Sequence, residues 1–449
     1  MLCGAAFMAS LDVFIVNVAF DSIGADFPGT SLSELSWVLN AYAVVFAALL
    51  VPAGRIADRY GRRAGFAFGL ALFTAASAAC AASDGIWWLV AFRALQAVGA
   101  AILTPASLGL VLATSAPEHR GRSVKIWAAA GAIAAALGPV LGGLLVEADW
   151  RWVFLVNVPV GVTALVLTLR WVPESRDVSI SRLPDLLGAA LLAVGIGAVT
   201  LGLVKGTDWG WQAGRTDATW VVAAFAVAAF VARSRRHPSP VVAPELVRVR
   251  AFAWANVTAL LFSAAFAIAL LSAVLWLQQV WHYSAIRTGL GIAPGPLMVP
   301  LFTAVGHRLA ARVPIGVVVA AGSAAFGIGA LVIASSVGRD PAYAAEFLPG
   351  WLIGGVGVGL ALPAILSSAT ADLPPQHAAT GSGVVSMSRQ IGTAIGVSVL
   401  VAVLGAPTTY RDAHAAFLHG WWALAVVAAA GAVSALAMSP RPRPAIVPR

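Results

Sequence analysis

One acidic residue lies inside an apolar segment near the start of the chain. Residues 9–20 read ASLDVFIVNVAF, and Asp12 is the charged side chain among them. An ionised carboxylate at the centre of a membrane helix costs about 2.5–3.5 kcal/mol on insertion scales, so it must face a wet cavity or bind a proton. Because its proton affinity depends on its surroundings, Asp12 is a candidate proton site. The alternative is a static buried ion pair.

Two arginines also lie where a membrane protein rarely tolerates charge. Arg93 begins the stretch RALQAVGAA, with Gln96 one helical turn later, and Arg389 lies about eleven residues into a later apolar segment. Charged side chains at such depth face protein or water. Arg389 therefore lines a cavity or bonds between helices. The same two possibilities apply to Asn17, which follows Asp12 by five residues.

The composition identifies the elements that must position these side chains. Hydrophobic residues make up 60% of the 449 residues and charged residues 10%, whereas about a quarter of a soluble globular chain is charged. The apolar residues fall in blocks of about 20, the length of a helix that crosses a bilayer. The sequence therefore predicts an all-α polytopic membrane protein. Cys3 and Cys80 lie in apolar segments, and we expect both to be free thiols.

Fourteen membrane spans are predicted. They cover roughly residues 3–21, 34–53, 64–82, 86–113, 124–146, 153–171, 184–204, 217–233, 252–280, 288–311, 313–336, 346–370, 378–404 and 417–438. We expect the first apolar segment to be retained as a span, because an acid interrupts it and no basic region precedes it.

The basic residues predict the orientation of these spans. With the N-terminus inside, 20 Lys and Arg lie in cytoplasmic segments and 6 in external ones. The positive-inside rule then places both termini in the cytoplasm. The net charge of +9 does not indicate a nucleic-acid partner, because the basic residues form short clusters between apolar blocks.

An internal repeat indicates how the spans are organised. A shift of 258 residues places Gly99 on Gly357 and Pro105 on Pro363; chance coincidence in an Ala-rich chain is the alternative. Parallel repeats that face each other across a central cavity are common in transporters. We predict three units: a six-helix bundle over residues 1–175, two inserted helices with linkers over 176–245, and a six-helix bundle with a short cytoplasmic tail over 246–449.

Two glycine-containing stretches have spacings that suit moving helices. In GRIADRYGRR, residues 54–63, Gly54 and Gly61 permit a tight turn, and Asp58 can pair with Arg59 or Arg62. The loop either latches a cytoplasmic gate or only sets topology.

In GAIAAALGPVLGG, residues 131–143, small residues leave one helical face bare for close packing, and the residues concerned are Gly131, Gly138, Pro139, Gly142 and Gly143. A generic packing face is the alternative there.

These stretches carry a family resemblance. GRIADRYGRR resembles the signature loop of the major facilitator superfamily. LDVFIVNVAF, RALQAVGAA, GAIAAALGPVLGG, WRWVFLVNVPVG, YSAIRTGLGIAPG and ATGSGVVSMSRQIGTAIG resemble its fourteen-helix drug:proton antiporter branch. The resemblance covers nearly the whole chain. It implies two six-helix bundles plus two extra central helices, and it makes residues 131–143 the antiporter motif.

The resemblance also assigns roles to the buried polar residues. It makes Arg93 the nearest candidate cation to Asp12, where it either tunes the proton site or belongs to a static pair. It places an Arg-Gln pair in span 13, which matches Arg389 and Gln390. We therefore expect Arg389 and Gln390, together with Asn17 and Gln96, to belong to a substrate cavity.

The expected function is proton-coupled export of amphipathic drugs or small hydrophobic metabolites by alternating access, as in antibiotic resistance. The proton is the coupling ion; no other cofactor, metal or enzymatic activity is expected, because no nucleotide loop or metal-ligand cluster is evident. We expect a monomer in the plasma membrane. The alternatives are a proton-linked importer or symporter on the same fold and a transport-inactive membrane sensor.

Replacement of Asp12 by Asn should abolish pH-driven transport and leave the protein folded, because the amide has the shape of the carboxyl group but cannot take up and release a proton. Transport in proteoliposomes with an imposed pH gradient measures the effect. Retained proton coupling in the Asp12→Asn protein would refute the assignment.

Overall fold

The computed structural model describes residues 1–177, 183–374 and 377–439, and these residues form helices joined by turns. Thirteen of the helices are long and apolar enough to cross a membrane. A fourteenth span results if the first two helices, which meet at 62°, are one broken span. The predicted all-α polytopic fold is thus confirmed. The predicted tail at 440–449 and part of the inserted segment, 178–182, lie outside the described residues.

The helices are numbered here as spans 1 to 14 in chain order. Spans 1 to 6 are Leu2–Val18 with Phe20–Asp26, Leu32–Leu35 with Trp37–Tyr60, Arg62–Ala81, Ile86–Thr114, Arg120–Ala148 after the turn Pro117–His119, and Trp152–Leu155 with Asn157–Trp171. Spans 7 and 8 are Leu186–Trp209 and Gly214–Arg236. After the short helix Pro244–Arg248, spans 9 to 14 are Arg250–Leu275 with Trp276–Val280, Ala285–Ile292 with Pro294–Ala310, Ile315–Ser336, Tyr343–Phe347 with Leu348–Ala371, Ala378–Leu404, and Tyr410–Leu436.

Successive spans run in opposite directions, so the connections alternate between two ends of the bundle. We call the end that carries the connections after the even-numbered spans the basic face, because the arginine-rich segments 54–63 and 233–236 lie there. The other end is called the opposite face. It carries the connections after the odd-numbered spans.

We call spans 1 to 6 the N-terminal half and spans 9 to 14 the C-terminal half. Glycines bring the helices of each half into backbone contact. Spans 3 and 4 meet where a Cβ added to Gly99 would stand 2.6 Å from the Phe73 nitrogen. Spans 11 and 12 meet in the same way, since a Cβ on Gly357 would stand 2.6 Å from the Gly322 carbonyl oxygen. Small residues permit such close approach of membrane helices. The two glycines that the sequence repeat pairs therefore have the same packing role in the two halves.

Span 7 packs on span 2 of one half and span 13 of the other, and span 8 packs on span 7. Within the insert, Arg233 Nε donates to Asp185 Oδ1 at 2.6 Å. Arg55 of span 2 donates to Ser239 Oγ at 2.9 Å and to the Pro240 carbonyl oxygen at 2.8 Å. These contacts attach the insert and its following linker to the basic-face end of span 2.

Replacement of Gly99 by Ala should destabilise the protein by about 1–3 kcal/mol, because the added methyl group meets backbone atoms that cannot rotate away. Gly197→Ala in span 7 is the matched control, since no atom lies within 4 Å of its added Cβ. Thermal unfolding of the purified proteins in detergent, followed by tryptophan fluorescence, measures the difference. Equal stability of the two variants would contradict the packing argument.

Candidate proton site and gates

Asp12 lies in a buried cluster inside the N-terminal half. Its Oδ2 is 2.5 Å from Arg93 Nη1, and its Oδ1 accepts hydrogen bonds from Gln96 Nε2 at 2.8 Å and Asn157 Nδ2 at 3.2 Å. Asp12 is 0% and Arg93 1% exposed. In this conformation the carboxylate therefore faces an internal cation instead of a wet cavity. The guanidinium supplies the charge compensation that buried ions require.

The Arg93 guanidinium also contacts a backbone carbonyl oxygen, a side-chain amide oxygen and two aromatic rings. Its Nε donates to the Val38 carbonyl oxygen at 3.1 Å, and its Nη1 also donates to Gln96 Oε1 at 2.5 Å. Its Cζ lies 4.4 Å from the centre of the Tyr42 ring and 5.7 Å from that of Phe154. Cation–π contacts strengthen when the cation is desolvated. Spans 1, 2, 4 and 6 are thus joined at one charged centre.

Sequence reasoning missed two members of this cluster. The Ser77 hydroxyl accepts from Gln96 Nε2 at 2.6 Å and from Asn157 Nδ2 at 3.3 Å, which adds span 3 to the network. Asn157 stands in the motif WRWVFLVNVPVG, and an amide within an apolar helix was the available signal. Nothing in the sequence around Ser77 distinguishes it from the other serines of the spans.

Three of the predicted cavity residues lie apart from this cluster. Asn17 Nδ2 donates to the Val13 carbonyl oxygen of its own helix at 2.8 Å. Arg389 and Gln390 lie on span 13 in the other half, and both are half-buried. The structure therefore brings Asp12, Arg93 and Gln96 together and leaves Asn17, Arg389 and Gln390 elsewhere.

Residues 54–63 are almost entirely helical: span 2 continues to Tyr60, beyond its predicted end at residue 53, Gly61 forms the turn, and span 3 begins at Arg62. We keep the name loop for this stretch. Asp58 Oδ1 accepts from Arg62 Nε at 2.6 Å, and the Arg59 guanidinium lies 5.2 Å from the Tyr60 ring centre. Gly61, at φ 137°, adopts a backbone conformation that favours glycine. A Cβ on Gly54 would stand 3.1 Å from Pro105 Cβ of span 4, so this glycine allows the close approach that was predicted for the loop.

A segment after span 6 holds this loop, and sequence reasoning did not identify it. Glu174 accepts from the Arg63 nitrogen at 3.0 Å and the Ala64 nitrogen at 3.2 Å, at the start of span 3. A carboxylate there satisfies free N–H groups and complements the helix dipole. The Arg62 nitrogen also donates to the Ser175 carbonyl oxygen at 2.7 Å. If the loop moves as a gate, this segment must move with it or these hydrogen bonds must break.

The small residues at 131–143 contact span 1 along their length. A Cβ atom added to each glycine would lie close to a span 1 atom. The distances are 3.4 Å from Gly131 to Ser10 Oγ, 2.5 Å from Gly138 to Phe14 Cβ, and 3.1 Å from Gly142 to Ile15 Cα. No side chain larger than hydrogen fits at Gly138 without displacing Phe14. Span 5 therefore lies against the turn of span 1 that follows Asp12.

The same motif also contacts the C-terminal half. A Cβ on Gly143 would stand 2.6 Å from the Ala285 carbonyl oxygen, and Gly289 of span 10 packs against the Pro139 carbonyl group. Gly289 lies in YSAIRTGLGIAPG, but sequence reasoning did not pair it with the glycines of span 5. Spans 5 and 10 thus meet through glycine on both sides.

Hydrogen bonds between the halves reinforce this junction at the opposite face. Gln278 Nε2 donates to the Val18 carbonyl oxygen at 3.0 Å, Gln279 Nε2 to Asp21 Oδ1 at 3.1 Å, and the Ile286 nitrogen to Glu147 Oε1 at 3.3 Å. These bonds join spans 1 and 5 to spans 9 and 10. The halves are therefore sealed at the opposite face.

The basic-face ends of spans 5 and 10 are not packed in this way. Ala134 is the first buried residue of the span 5 helix, so the stretch from Arg120 to Ile133 contains none. In the second helix of span 10, Gly295 and Gly306 are the buried residues. The close packing that joins spans 5 and 10 at the opposite face therefore does not extend along span 5 to the basic face.

Comparison with known proteins identifies a family. The model of the Major Facilitator Superfamily matches residues 2–397. Multidrug resistance protein Stp of Mycobacterium tuberculosis (strain CDC 1551 / Oshkosh) is 37% identical over 408 residues, covering 89% of this chain and 74% of that protein. The cephamycin export protein CmcT of Amycolatopsis lactamdurans is 34% identical over 432 residues, covering 94% and 87%. The methylenomycin A resistance protein of Streptomyces coelicolor is 31% identical over 402 residues, covering 88% and 83%.

Solved structures agree on the fold. The crystal structure of peptide transporter POT in complex with sulfate superposes with a TM-score of 0.69 and covers 98% of this chain and 94% of that one. Its sequence identity is 18%, so this similarity concerns the fold alone.

Replacement of Arg93 by Met should destabilise the protein by about 3–5 kcal/mol, because Asp12 is then left charged and unpaired in a buried site. The double variant Arg93→Met, Asp12→Leu should recover most of that loss, since it removes both charges. Thermal unfolding of wild type, both single variants and the double variant measures the coupling. Additive losses in the double variant would show that the two side chains do not depend on each other.

Proposed function

This chain belongs to the Major Facilitator Superfamily, and on that premise we propose that it exports amphipathic drugs, antibiotics or small hydrophobic metabolites in exchange for protons. Relatives over most of its length carry names of multidrug resistance and antibiotic export proteins. The chain is a multi-pass membrane protein. Its substrates are small molecules that reach the space between the two halves, and it works as a transporter without enzymatic chemistry.

The observation that carries proton coupling is the position of Asp12 on span 1. Phe14 and Ile15, which contact the antiporter-motif glycines, lie within one helical turn of it. Protonation of Asp12 removes the charge that Arg93 compensates, so the 2.5 Å pair weakens and span 1 is free to shift. A shift of span 1 acts directly on its contact with span 5. Proton binding and the seal are thus linked through one short segment.

Alternating access follows from the two ends of the bundle. We place the basic face and both termini in the cytoplasm, in agreement with the positive-inside rule, so the junction of spans 5 and 10 closes the outer face in the conformation described. The glycine junction of spans 5 and 10 opens outward in the other state, while the loop at residues 54–63 closes the cytoplasmic face. A membrane potential contributes about 2.3 kcal/mol per charge per 100 mV to a cycle that moves protons inward.

No cofactor beyond the proton takes part in this cycle, and a monomer in the plasma membrane suffices for it. Each half contributes one wall of the central space, so the substrate path lies within a single chain.

An efflux screen tests the proposal. Inside-out vesicles that contain the protein should accumulate exported compounds from a chemically diverse panel when their lumen is acidic. A protonophore should abolish this accumulation, because it collapses the gradient. Asp12→Asn should lose the accumulation; because it also leaves Arg93 without its ion-pair partner, thermal unfolding must show that the variant is folded in the vesicles. Asp84→Asn should keep the accumulation, since Asp84 is exposed in the turn between spans 3 and 4.

The direction of flux separates the proposal from its rivals. Proton-driven loss of compound from preloaded inside-out vesicles would indicate import and contradict export. Absence of flux for the whole panel in folded protein would favour a sensor. Accumulation that survives the protonophore would contradict proton coupling.

A further inference from the structure

A polar stripe runs along span 13 and includes Arg389. Ser382, Ser386, Arg389 and Thr393 recur at helical spacing and therefore share one side of the helix. Ser382, near the basic face, is exposed, and the other three are half-buried. Other polar residues of this span, among them Ser388, which donates to Asn256 Oδ1 of span 9 at 2.8 Å, lie off this side.

The two flanks of the stripe show where it points. On one flank Gly392 packs against the Leu260 backbone of span 9 in the same half. On the other flank Gly383 faces Val51 of span 2, in the opposite half, with 3.4 Å between its added Cβ and Val51 Cγ2. At about 100° per residue, the stripe lies between these two contacts. The opposite side of the helix, which carries Val384, Met387 and Ser388, is buried, whereas the stripe is half-buried to exposed. The stripe therefore borders the space between the halves.

Arg389 forms no ion pair with an acidic residue of the described part of the chain. Its Nε is buried and lacks a hydrogen-bond partner within the described part of the chain. The acidic residues of the chain after residue 240 all lie at span ends or in connections: Glu245, Asp340, Glu346, Asp372 and Asp412. The interior of spans 9 to 14 thus contains a cation and no carboxylate.

The surroundings of Arg93 differ from those of Arg389. That guanidinium is compensated by Asp12, by the Val38 carbonyl oxygen and by aromatic rings. Arg389 has no equivalent set, and the repeat places Gly131, not an arginine, at the corresponding position of span 5. A membrane-embedded cation that the protein leaves uncompensated marks a site on a ligand path.

We propose that Arg389 binds an anionic group of the transported compound, so that preferred substrates carry a carboxylate or a chemically similar anion on an apolar body. The inference rests on the proposed function and names its substrate class. A guanidinium can hold a carboxylate through two parallel N–H···O bonds. Ser386 and Ser382 continue the polar stripe from this point toward the basic face, from which the anion enters.

This substrate class also suits the energetics of export. When a monoanion leaves in exchange for one entering proton, two charge equivalents move in the direction that an inside-negative potential favours. A neutral analogue gains half of that electrical driving force. The unpaired arginine and the proton site thus act together, although they lie in different halves.

A matched pair of dyes tests the proposal. Rhodamine B carries a free carboxylate, and its ethyl ester has the same ring system without that anion. Fluorescence polarisation of each dye with the purified full-length protein gives binding constants that do not depend on a proton gradient. Arg389→Gln removes the cation, Arg389→Lys keeps the charge, and Arg312→Gln is the control for loss of an exposed arginine.

Wild type should bind the acid more tightly than the ester. Arg389→Gln should weaken binding of the acid by about tenfold or more, in line with the loss of a charge-assisted pair, and change ester binding less than about twofold. Arg389→Lys should retain part of the preference, and Arg312→Gln all of it. Ester binding by Arg389→Gln also shows that this variant is folded.

Three results would overturn the proposal: no saturable binding of the acid to wild type, equal affinity of wild type for acid and ester, or an equal loss of both in Arg389→Gln. These outcomes are independent of transport. If the anion preference is present but vesicles show no proton-driven flux, the proposed function fails and the binding site stands. If proton-driven export is present without the preference, Arg389 is not the anion site.

Discussion

The ion pair between Asp12 and Arg93 is the constraint on which the N-terminal half depends. Either charge alone would be costly in a site that excludes water, so the two must be held at contact distance and their remaining hydrogen-bonding groups satisfied. That requirement recruits Gln96, Asn157 and Ser77, and it fixes the rotation of the spans that carry them. Packing between apolar helix faces alone would not specify how each helix is rotated about its axis, whereas the buried charges allow one arrangement.

The pair is also placed where a change of charge has a mechanical consequence. Span 1 carries Asp12 and, within the next turn, the side chains that contact the bare face of span 5. Span 5 in turn meets span 10 through Gly143 and Gly289, beside the hydrogen bonds that seal the opposite face. Glycine contacts form and separate without rearranging side chains. A proton that alters the Asp12 charge therefore needs to bias only the position of one helix to favour one of two states.

The two halves share their packing but not their charges. Gly99 and Gly357 make matching backbone contacts in the two bundles, as a repeated unit requires. The polar chemistry, however, is divided: the first half contains a compensated pair, and the second contains Arg389, whose buried Nε has no hydrogen-bond partner among the described residues. In the cycle we propose, separate locations for proton and substrate allow each to be bound without competing for the same atoms, while movement of the seam between the halves couples them.

The sequence by itself determined the all-α polytopic fold and the approximate positions of the spans, the bare face of span 5 and the cost of placing Asp12 in an apolar helix, because hydropathy and small-residue spacing are local properties. Only the tertiary structure decided that Asp12 meets Arg93 at 2.5 Å with Ser77 and Asn157 beside them, that Glu174 holds the loop at residues 54–63, and which end of the bundle is closed. Those facts depend on how helices distant in sequence rotate and pack against one another. The bilayer constrains each span to be apolar, but it does not specify which of its faces meets which neighbour.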